Sequence, residues 1–169
     1  MATINLSLAL DLIAIKNSNK LTDTIDNAEK RIISNEYIHM LDLRGTSFKD
    51  EPGGVAEIYN VKMDDTINWH LDNYSSYNSD LSAMIINYVS DDNNSKDFLT
   101  PPKIIRNSLK RPYYTADFDV LFKDVDLYYW TSDVLKLNVT AKYKGLIRVY
   151  EKDQPLGYAY IERSITLRP

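Results

Sequence analysis

The sequence of 169 residues contains no cysteine and only five glycines. Without cysteine, the chain cannot form a disulfide scaffold, a cysteine-ligated zinc or iron–sulfur site, or a cysteine nucleophile. The few glycines provide little material for phosphate-binding loops, and neither a P-loop nor a Gly-x-Gly-x-x-Gly motif occurs. The Gly-x-Ser-x-Gly motif of serine hydrolases is also missing. We therefore expect a protein that is not an enzyme, with a pair of carboxylates for glycoside hydrolysis among the 24 acidic residues as the alternative left open.

The chain also lacks a long hydrophobic run and an excess of positive charge. No run reaches the roughly 20 apolar residues that a membrane-spanning helix needs. No Lys or Arg precedes the apolar N-terminal stretch, and Asn5, Ser7 and Asp11 interrupt it, which is unlike a secretory signal. The formal net charge of −4 opposes a nucleic-acid-binding role. We therefore expect a cytoplasmic protein with neither a membrane nor a nucleic-acid partner.

Alternating apolar and polar residues dominate the rest of the sequence. Residues 4–15 begin with Ile4, Leu6, Leu8 and Leu10 on one face, which is typical of a half-buried strand. The segment from Leu137 to Tyr143 alternates in the same way. Eight to ten short strands separated by turn residues, with no long helix, predict an all-β fold. We predict a single domain, residues 1–169, built as an antiparallel β-sandwich of two packed sheets.

Local patterns predict how some of these strands are arranged. Val55–Met63 and Thr66–Leu71 flank the turn Asp64-Asp65 and are predicted to form a hairpin. Leu81–Val89 is apolar enough for a central strand. The basic segment Lys103–Arg111 lies between Pro101-Pro102 and Pro112. It is interpreted as a solvated connector that belongs to a crossover between the sheets. Gly145 interrupts an alternating strand and predicts a β-bulge or a strand bend.

Metal binding has little support in the sequence. His39 and His70 are the only histidines, and we interpret them as strand residues with satisfied side chains. Oxygen-rich segments occur at Asp64-Asp65, Asp72-Asn73 and 91–94, but none matches the calcium-binding loop of an EF-hand. Asp and Asn favour turns because they bond their own backbone. We expect no cofactor, with calcium as the one alternative that the residues leave open.

The 13 tyrosines and two tryptophans are the most distinctive part of the composition. Trp69, Tyr128, Trp130 and Tyr143 lie in predicted strands and are interpreted as core or inter-sheet residues. Tyrosines in polar loops are different, because their flat apolar rings suit stacking on a sugar while neighbouring Asp and Asn side chains bind its hydroxyls. The candidate ligand-binding residues of this kind are Asp72, Asn73, Tyr74, Tyr77, Asp91, Asp92, Asn93 and Asn94.

The order of several short motifs resembles the AidA/PixA-type inclusion body proteins of Gram-negative bacteria. Asp64-Asp65-Thr66-Ile67-Asn68-Trp69 is similar to that family's Gly-Asp-x-Ile-x-Trp motif, with Asp64 at the glycine position. The ending Gly157–Thr166 is similar to Gly-Tyr-Phe-x-Trp-Asp-Pro-x-Ile, with Tyr160 at the tryptophan position and Glu162-Arg163 replacing Asp-Pro. The other matching segments are Ile4–Ile15, Tyr37–Met40, Tyr128-Tyr129-Trp130 and Leu137–Tyr143.

The resemblance implies a β-sandwich without catalytic residues, made in quantity in the cytoplasm and in some relatives deposited as inclusions. It also implies a role in host association for some members. We expect a protein that binds itself, with a two-fold homodimer as the default oligomer, and that binds glycans as a lectin does. The alternatives are a purely structural or storage protein that packs into inclusions, and a hydrolase with an unrecognised pair of carboxylates.

Overall fold

The computed structural model describes residues 1–42, 48–51, 55–73, 80–90 and 97–169. Two short helices, a 3₁₀ turn and ten strands occur in these ranges. In chain order they are β1 Thr3–Leu10, α1 Leu12–Asn17, α2 Ile25–Ala28, the 3₁₀ turn Asn35–Tyr37, β2 Ile38–Asp42, β3 Phe48–Glu51, β4 Val55–Ile58, β5 Thr66–Asn73, β6 Leu81–Ser90, β7 Lys103–Tyr114, β8 Val120–Asp133, β9 Thr140–Glu151 and β10 Gln154–Leu167. None of the described helices has the length and apolarity that crossing a membrane requires.

The strands form two packed sheets, which confirms the predicted all-β sandwich. Sheet A has the order β2-β1-β5-β8-β7, and sheet B has the order β3-β4-β10-β9-β6. Most neighbouring strands are antiparallel, as predicted, but β1 pairs with β5 and β4 pairs with β10 in parallel. These parallel pairs join the beginning and the end of the chain to strands from its middle.

The core lies between the sheets and is built from alternate strand residues. Ile4, Leu6, Leu8 and Leu10 of β1 are fully buried, as their spacing predicts. The prediction that this strand continues to residue 15 is wrong, because α1 begins at Leu12. The Asp11 carboxylate accepts a hydrogen bond from the Ala14 backbone N–H at 3.0 Å, and a helix N-cap of this kind ends the strand.

Three predictions about the arrangement of the strands differ from the structure. Strands β4 and β5 do not form a hairpin, because β4 lies in sheet B and β5 in sheet A. The Asp64-Asp65 turn thus carries the chain from one sheet to the other. Strand β6 is an edge strand and not a central one, and its apolar character reflects exposed as well as buried residues. The segment Lys103–Arg111 is not a connector, because all of it belongs to β7.

Gly145 does not produce the predicted bulge or bend. Strand β9 stays in register through Gly145, which lies opposite Ile161 on one side and Tyr88 on the other. A Cβ atom at this position would lie 2.9 Å from Tyr88 Cδ2 and 3.0 Å from Ile161 Cγ1. Glycine is therefore required by the tyrosine ring that packs over the backbone. The register shift of this region occurs in β6, between Ile85 and Asn87.

Asp65 fixes the crossing between the sheets. Its side chain is buried, and its carboxylate accepts hydrogen bonds from the backbone N–H groups of Ala2 at 2.6 Å and Lys62 at 2.9 Å. Burial raises the pKa of this carboxyl, but the two backbone donors together with the positive charges of the N-terminus and Lys62 lower it overall. Asp64 has a φ of +67°, a conformation that Asp tolerates better than most residues.

We expect Asp65→Asn to destabilise the fold by about 1–3 kcal/mol at pH 7, because a neutral amide replaces a doubly hydrogen-bonded carboxylate. The pKa of Asp65 is lower in the folded than in the unfolded state, so its contribution is present above about pH 4 and lost as the pH falls through the folded value. Urea unfolding at pH 7, 5 and 3 should show the gap between wild type and variant closing. A gap that stays constant with pH would contradict this assignment.

Candidate functional site

Four aromatic residues join the sheets and lead from the core to the surface. The Trp69 ring lies 5.2 Å from Tyr88 and 5.4 Å from Tyr143 between ring centroids, and Tyr88 lies 6.4 Å from Trp130. Trp69 and Tyr143 are fully buried, and Trp130 packs partly buried at the edge of the cluster. These positions confirm the predicted inter-sheet roles. The same prediction is wrong for Tyr128, which is 48% exposed because its part of β8 extends beyond the sandwich.

An open cleft of about 400 Å³ lies beside Trp130. Its walls come from β5, β6 and β8, and they are mainly apolar. The lining residues are Trp69, Leu71, Ala83, Met84, Ile85, Asp126, Leu127, Tyr128 and Trp130. The Trp130 indole N–H donates to the Ile85 carbonyl at 3.2 Å, which holds the ring at the boundary between the sheets. We call this space the Trp130 cleft.

A second cleft of about 440 Å³ is also lined by Trp130. Leu99 and the two prolines before β7, Pro101 and Pro102, form one wall, and Tyr88 of β6 contributes to the other. Both volumes fall in the range of ligand-binding pockets, about 300–1,000 Å³. Trp130 thus contributes to the walls of two apolar recesses.

Asp126 is the one acidic residue among the described residues that line these two clefts. The Arg106 guanidinium donates to its carboxylate at 2.7 Å, and this hydrogen bond lowers the pKa of Asp126. A carboxyl held ionised in this way is poorly suited to act as a general acid. The hydrolase alternative needs two neighbouring carboxylates, and the described walls of the clefts supply one.

Strands β7 and β8 continue far beyond the sandwich. Strand β5 pairs with β8 only over Thr66–Trp69, and the last pair of that ladder is Trp69 with Trp130. Beyond this point β7 and β8 pair with each other over ten further residue pairs, from Ile105–Tyr129 to Tyr114–Val120. We call residues 105–129 the arm. We call its junction with the sandwich the root, and residues 115–119 the tip.

The arm exposes large apolar side chains on both faces. Phe118 is 83% exposed, Tyr114 75% and Phe122 63%. The other exposed apolar residues of the arm are Leu109, Tyr113, Val120, Leu121 and Tyr128. Most exposed apolar residues of soluble proteins are scattered singly, whereas contiguous exposure marks an interaction surface. The arm is the main concentration of such residues in the described part of the chain.

The tip holds an aromatic residue in an unfavourable backbone conformation. The Thr115 N–H donates to the Asp119 carbonyl at 2.9 Å, and the Phe118 N–H donates to the Thr115 carbonyl at 3.1 Å. These bonds give Phe118 a φ of +64°, a region that glycine and asparagine adopt readily and that is unusual for a bulky residue. The turn geometry alone would favour glycine here, yet the residue is an exposed phenylalanine.

Strand β7 is the free edge of sheet A. The Thr115 N–H points toward β8, and the N–H groups of successive strand residues point alternately to opposite sides. Pro112 is three residues before Thr115, so its nitrogen points to the open side. A proline nitrogen carries no hydrogen, so this edge lacks one donor. Lys103, Arg106, Lys110 and Arg111 give the same strand four positive charges and no negative one.

The predicted glycan-binding residues lie largely outside the described ranges. Asp72 is described at the end of β5, with its carboxylate exposed and accepting a hydrogen bond from the Ser7 hydroxyl. The backbone of Asn73 closes the same strand. Tyr74, Tyr77, Asp91, Asp92, Asn93 and Asn94 lie outside the described residues. Their convergence with Asp72 stays a prediction.

The two histidines lie in sheet A on strands separated by β1. His39 of β2 is opposite Ala9, whereas His70 of β5 is opposite Ser7 and its Nε2 lies 3.2 Å from Asn5 Oδ1. Partial burial lowers the pKa of His70, and the nearby Asp72 opposes that shift. Among the described residues no group of three or more metal-ligating side chains occurs. Of the three oxygen-rich segments considered for calcium, Asp64-Asp65 and Asp72-Asn73 are described, whereas 91–94 lie outside that part of the chain.

These features define the class of the protein as a two-sheet β-sandwich whose exposed apolar surface is concentrated on one projecting hairpin. The family model described as "PixA: Inclusion body protein" matches residues 2–167. The chain therefore belongs to the PixA inclusion body protein family.

A solved structure of the same family shares this fold. The crystal structure of an inclusion body protein (PixA) from Burkholderia cenocepacia J2315 is similar, with a TM-score of 0.71 and 14% sequence identity over 98% of this chain and 95% of that one. No curated protein sequence matches the chain. At this identity the structural similarity establishes the sandwich, and the arm and clefts must be interpreted from the residues of this chain.

Proposed function

We propose that this inclusion body family protein associates with itself and packs into cytoplasmic inclusions, without a catalytic role. The observation that carries the proposal is the arm, with Tyr114, Phe118 and Phe122 each at least 63% exposed. A two-stranded ribbon is only marginally stable in water on its own. A partner that covers the ribbon would bury apolar surface and stabilise it. Both the self-associating and the storage interpretations of the sequence need such a contact.

Sedimentation velocity over a wide range of concentration tests the proposal. We expect the wild-type sedimentation coefficient to increase with concentration. In the shortened variant, Asn-Gly replaces residues 108–126 and forms a two-residue hairpin loop closed by the Asn107–Leu127 pair. This variant loses most of the arm and should therefore stay monomeric. A wild type that stays monomeric throughout, or a shortened variant that assembles as the wild type does, would overturn the proposal.

Glycan binding at the end of β5 is a second candidate function. The observation that favours it is the exposed Asp72 carboxylate, positioned by Ser7 directly before the tyrosines of the following segment. A glycan array probed with and without calcium should give a signal that Asp72→Ala weakens and that the arm-shortened variant keeps. An array with no signal above background in both conditions would remove this candidate.

A further inference from the structure

The Trp130 cleft continues the core at the point where β5 and β8 stop pairing. Its floor is formed by the fully buried Trp69 and the buried Ile85. Its mouth includes Tyr128 and Met84, whose side chains reach the solvent and are both more than 40% exposed. The cleft therefore leads from the interior of the sandwich to the surface beside the root of the arm.

The walls of the cleft favour a ligand with an apolar, flat body. Asp126 is the one charged side chain among the described lining residues, and the others are aliphatic or aromatic. Trp130 and Tyr128 lie two residues apart on β8, so their rings are on the same face of the strand. Aromatic side chains prefer offset or edge-to-face contacts with another ring. A volume of about 400 Å³ lies near the lower end of ligand pockets, about 300–1,000 Å³, and suits a small ring system.

The mouth of the cleft carries an ion pair and not a single charge. Arg106 Nη2 donates to Asp126 Oδ2 at 2.7 Å, and the two side chains are 64% and 35% exposed. This bond uses one oxygen of the carboxylate and one nitrogen of the guanidinium, so the pair offers a further acceptor and further donors. The carboxylate repels a ligand anion and the guanidinium repels a ligand cation. An uncharged hydroxyl group can donate to the first and accept from the second.

The aromatic wall is held in place by the protein itself. The Trp130 indole N–H donates to the Ile85 carbonyl of the opposite sheet at 3.2 Å, and its ring lies 6.4 Å from that of Tyr88. A wall fixed before binding loses little conformational freedom when a ligand arrives. Because the indole donor is already used, polar contacts with a ligand must come from the mouth.

We infer that the Trp130 cleft binds an uncharged ring compound that carries a hydroxyl group at one end. The ring packs against Trp130, and the hydroxyl group reaches the pair of Asp126 and Arg106. This small-molecule site goes beyond self-association through the arm and does not depend on it. It is also separate from the glycan candidate at the end of β5. Leu71 lines the cleft, whereas the next residue, Asp72, lies on the other face of the strand.

Calorimetry at pH 7 with four compounds that share one ring system tests the chemical class. The probes are naphthol, naphthalene, naphthoate and the naphthylmethylammonium ion. We expect naphthol to bind the wild-type protein at least about threefold more tightly than each of the others, because its hydroxyl group satisfies both members of the ion pair without adding a charge. No binding of naphthol up to its solubility limit, or equal or tighter binding of either ion, would overturn the inference.

Substitutions at the mouth should change the preferred ligand charge in opposite directions. Asp126→Asn removes the anion beside Arg106 and should increase the affinity for naphthoate at least about threefold. Arg106→Gln removes the cation beside Asp126 and should increase the affinity for the ammonium compound by a similar factor. Loss of the fold would weaken the binding of all four compounds, so an increased affinity reports the charge at the mouth. Two variants that both keep the wild-type order of affinities would contradict the assigned role of the ion pair and overturn the inference.

Ala83→Phe tests where the ligand lies. Ala83 is half-buried in the cleft wall, and a phenyl ring there would fill the space, so the affinity for naphthol should fall at least about tenfold. Ser82→Phe is the matched control and should leave binding unchanged, because neighbouring residues of β6 point to opposite faces of the sheet. Both variants keep the exposed apolar residues of the arm. Binding that survives Ala83→Phe would therefore lie outside the cleft and overturn the inference.

The tryptophans allow a test that needs no variant. The chain has two, Trp69 and Trp130, and both line the cleft. In the NMR spectrum of the nitrogen-labelled wild type, both indole N–H signals should shift in proportion to the naphthol bound. The backbone signals of the tip, residues 115–119, should stay in place. Indole signals that do not move while calorimetry records binding would place the ligand elsewhere and overturn the inference.

Discussion

Trp69→Ala should lower the free energy of unfolding by about 3–5 kcal/mol, the usual cost of removing a large buried aromatic side chain. The indole of Trp69 is fully buried and contacts Tyr88 and Tyr143 of the opposite sheet. Its loss would leave a cavity in the layer that joins sheet A to sheet B. Urea denaturation monitored by circular dichroism gives the difference, and a loss below about 1 kcal/mol would contradict the assigned role.

Trp69→Phe is the matched control for this experiment. The Trp69 indole nitrogen has no hydrogen-bond partner among the described residues. Phenylalanine would therefore keep most of the apolar contact without losing a polar one, and we expect it to cost less than half as much as alanine. Equal effects of the two variants would indicate that shape complementarity, and not buried apolar volume, dominates at this position.

Gly145→Val should be the second large effect, with a loss of about 1–3 kcal/mol from overpacking. A Cβ atom at Gly145 would already lie 2.9 Å from Tyr88 Cδ2 and 3.0 Å from Ile161 Cγ1, and the branched side chain would extend the clash. Tyr88 cannot move freely because its ring stacks on Tyr143 at 5.6 Å. The stability of the variant in urea is the measurement.

A double-mutant cycle separates overpacking from an intrinsic need for glycine. Combined with Tyr88→Leu, the Gly145→Val substitution should cost less than it does alone, because the smaller side chain makes room for valine. Additive effects would show that the clash with Tyr88 is not the cause. The backbone of Gly145 runs in register within β9, so no conformational requirement for glycine is expected.

Local patterning predicted those parts of the fold that have one buried and one solvated face. The alternation of Ile4, Leu6, Leu8 and Leu10 identified β1. The alternation from Leu137 to Tyr143 identified β9, but the predicted start is wrong, because β9 begins at Thr140 and Asn138 before it has a φ of 56°. Pairing between strands was not predictable in the same way. A short turn between two strands favours a hairpin, yet Asp65 turns the chain into the other sheet. Its partners are Ala2 and Lys62, and the contact with Ala2 is set by the tertiary structure.

The arm was missed because neither of its faces is buried. Apolar and polar residues alternate along a strand because one of its faces is buried. A ribbon that projects into solvent has no buried face, so its basic, polar and apolar residues do not follow such an alternation. The sequence contains one signal of the hairpin. Leu109 and Tyr113 before the polar turn, and Leu121 and Val125 after it, are spaced symmetrically about residue 117. This symmetry is typical of a hairpin, and the basic charge of Lys103–Arg111 obscured it.

The predicted ligand-binding residues share a side-chain chemistry that suits a sugar, and among them only Asp72 has a described side chain. The Trp130 cleft could not be predicted, because its walls come from strands that are distant in sequence. The sequence predicts Trp130 as an inter-sheet residue, but not as a wall of two recesses. Such a role depends on where β5 and β8 separate, and the sequence carries no signal of that point.

Pro112 affects how molecules of this protein can pair with one another in any deposit that it forms. An edge strand with a missing donor and four cations is a poor template for adding another strand. Growth by continuous backbone pairing, as in amyloid, is therefore blocked at β7. Deposits that form through the arm should therefore consist of folded molecules and redissolve with native circular dichroism. Their fibre diffraction should lack the strong meridional reflection at about 4.7–4.8 Å of cross-β material.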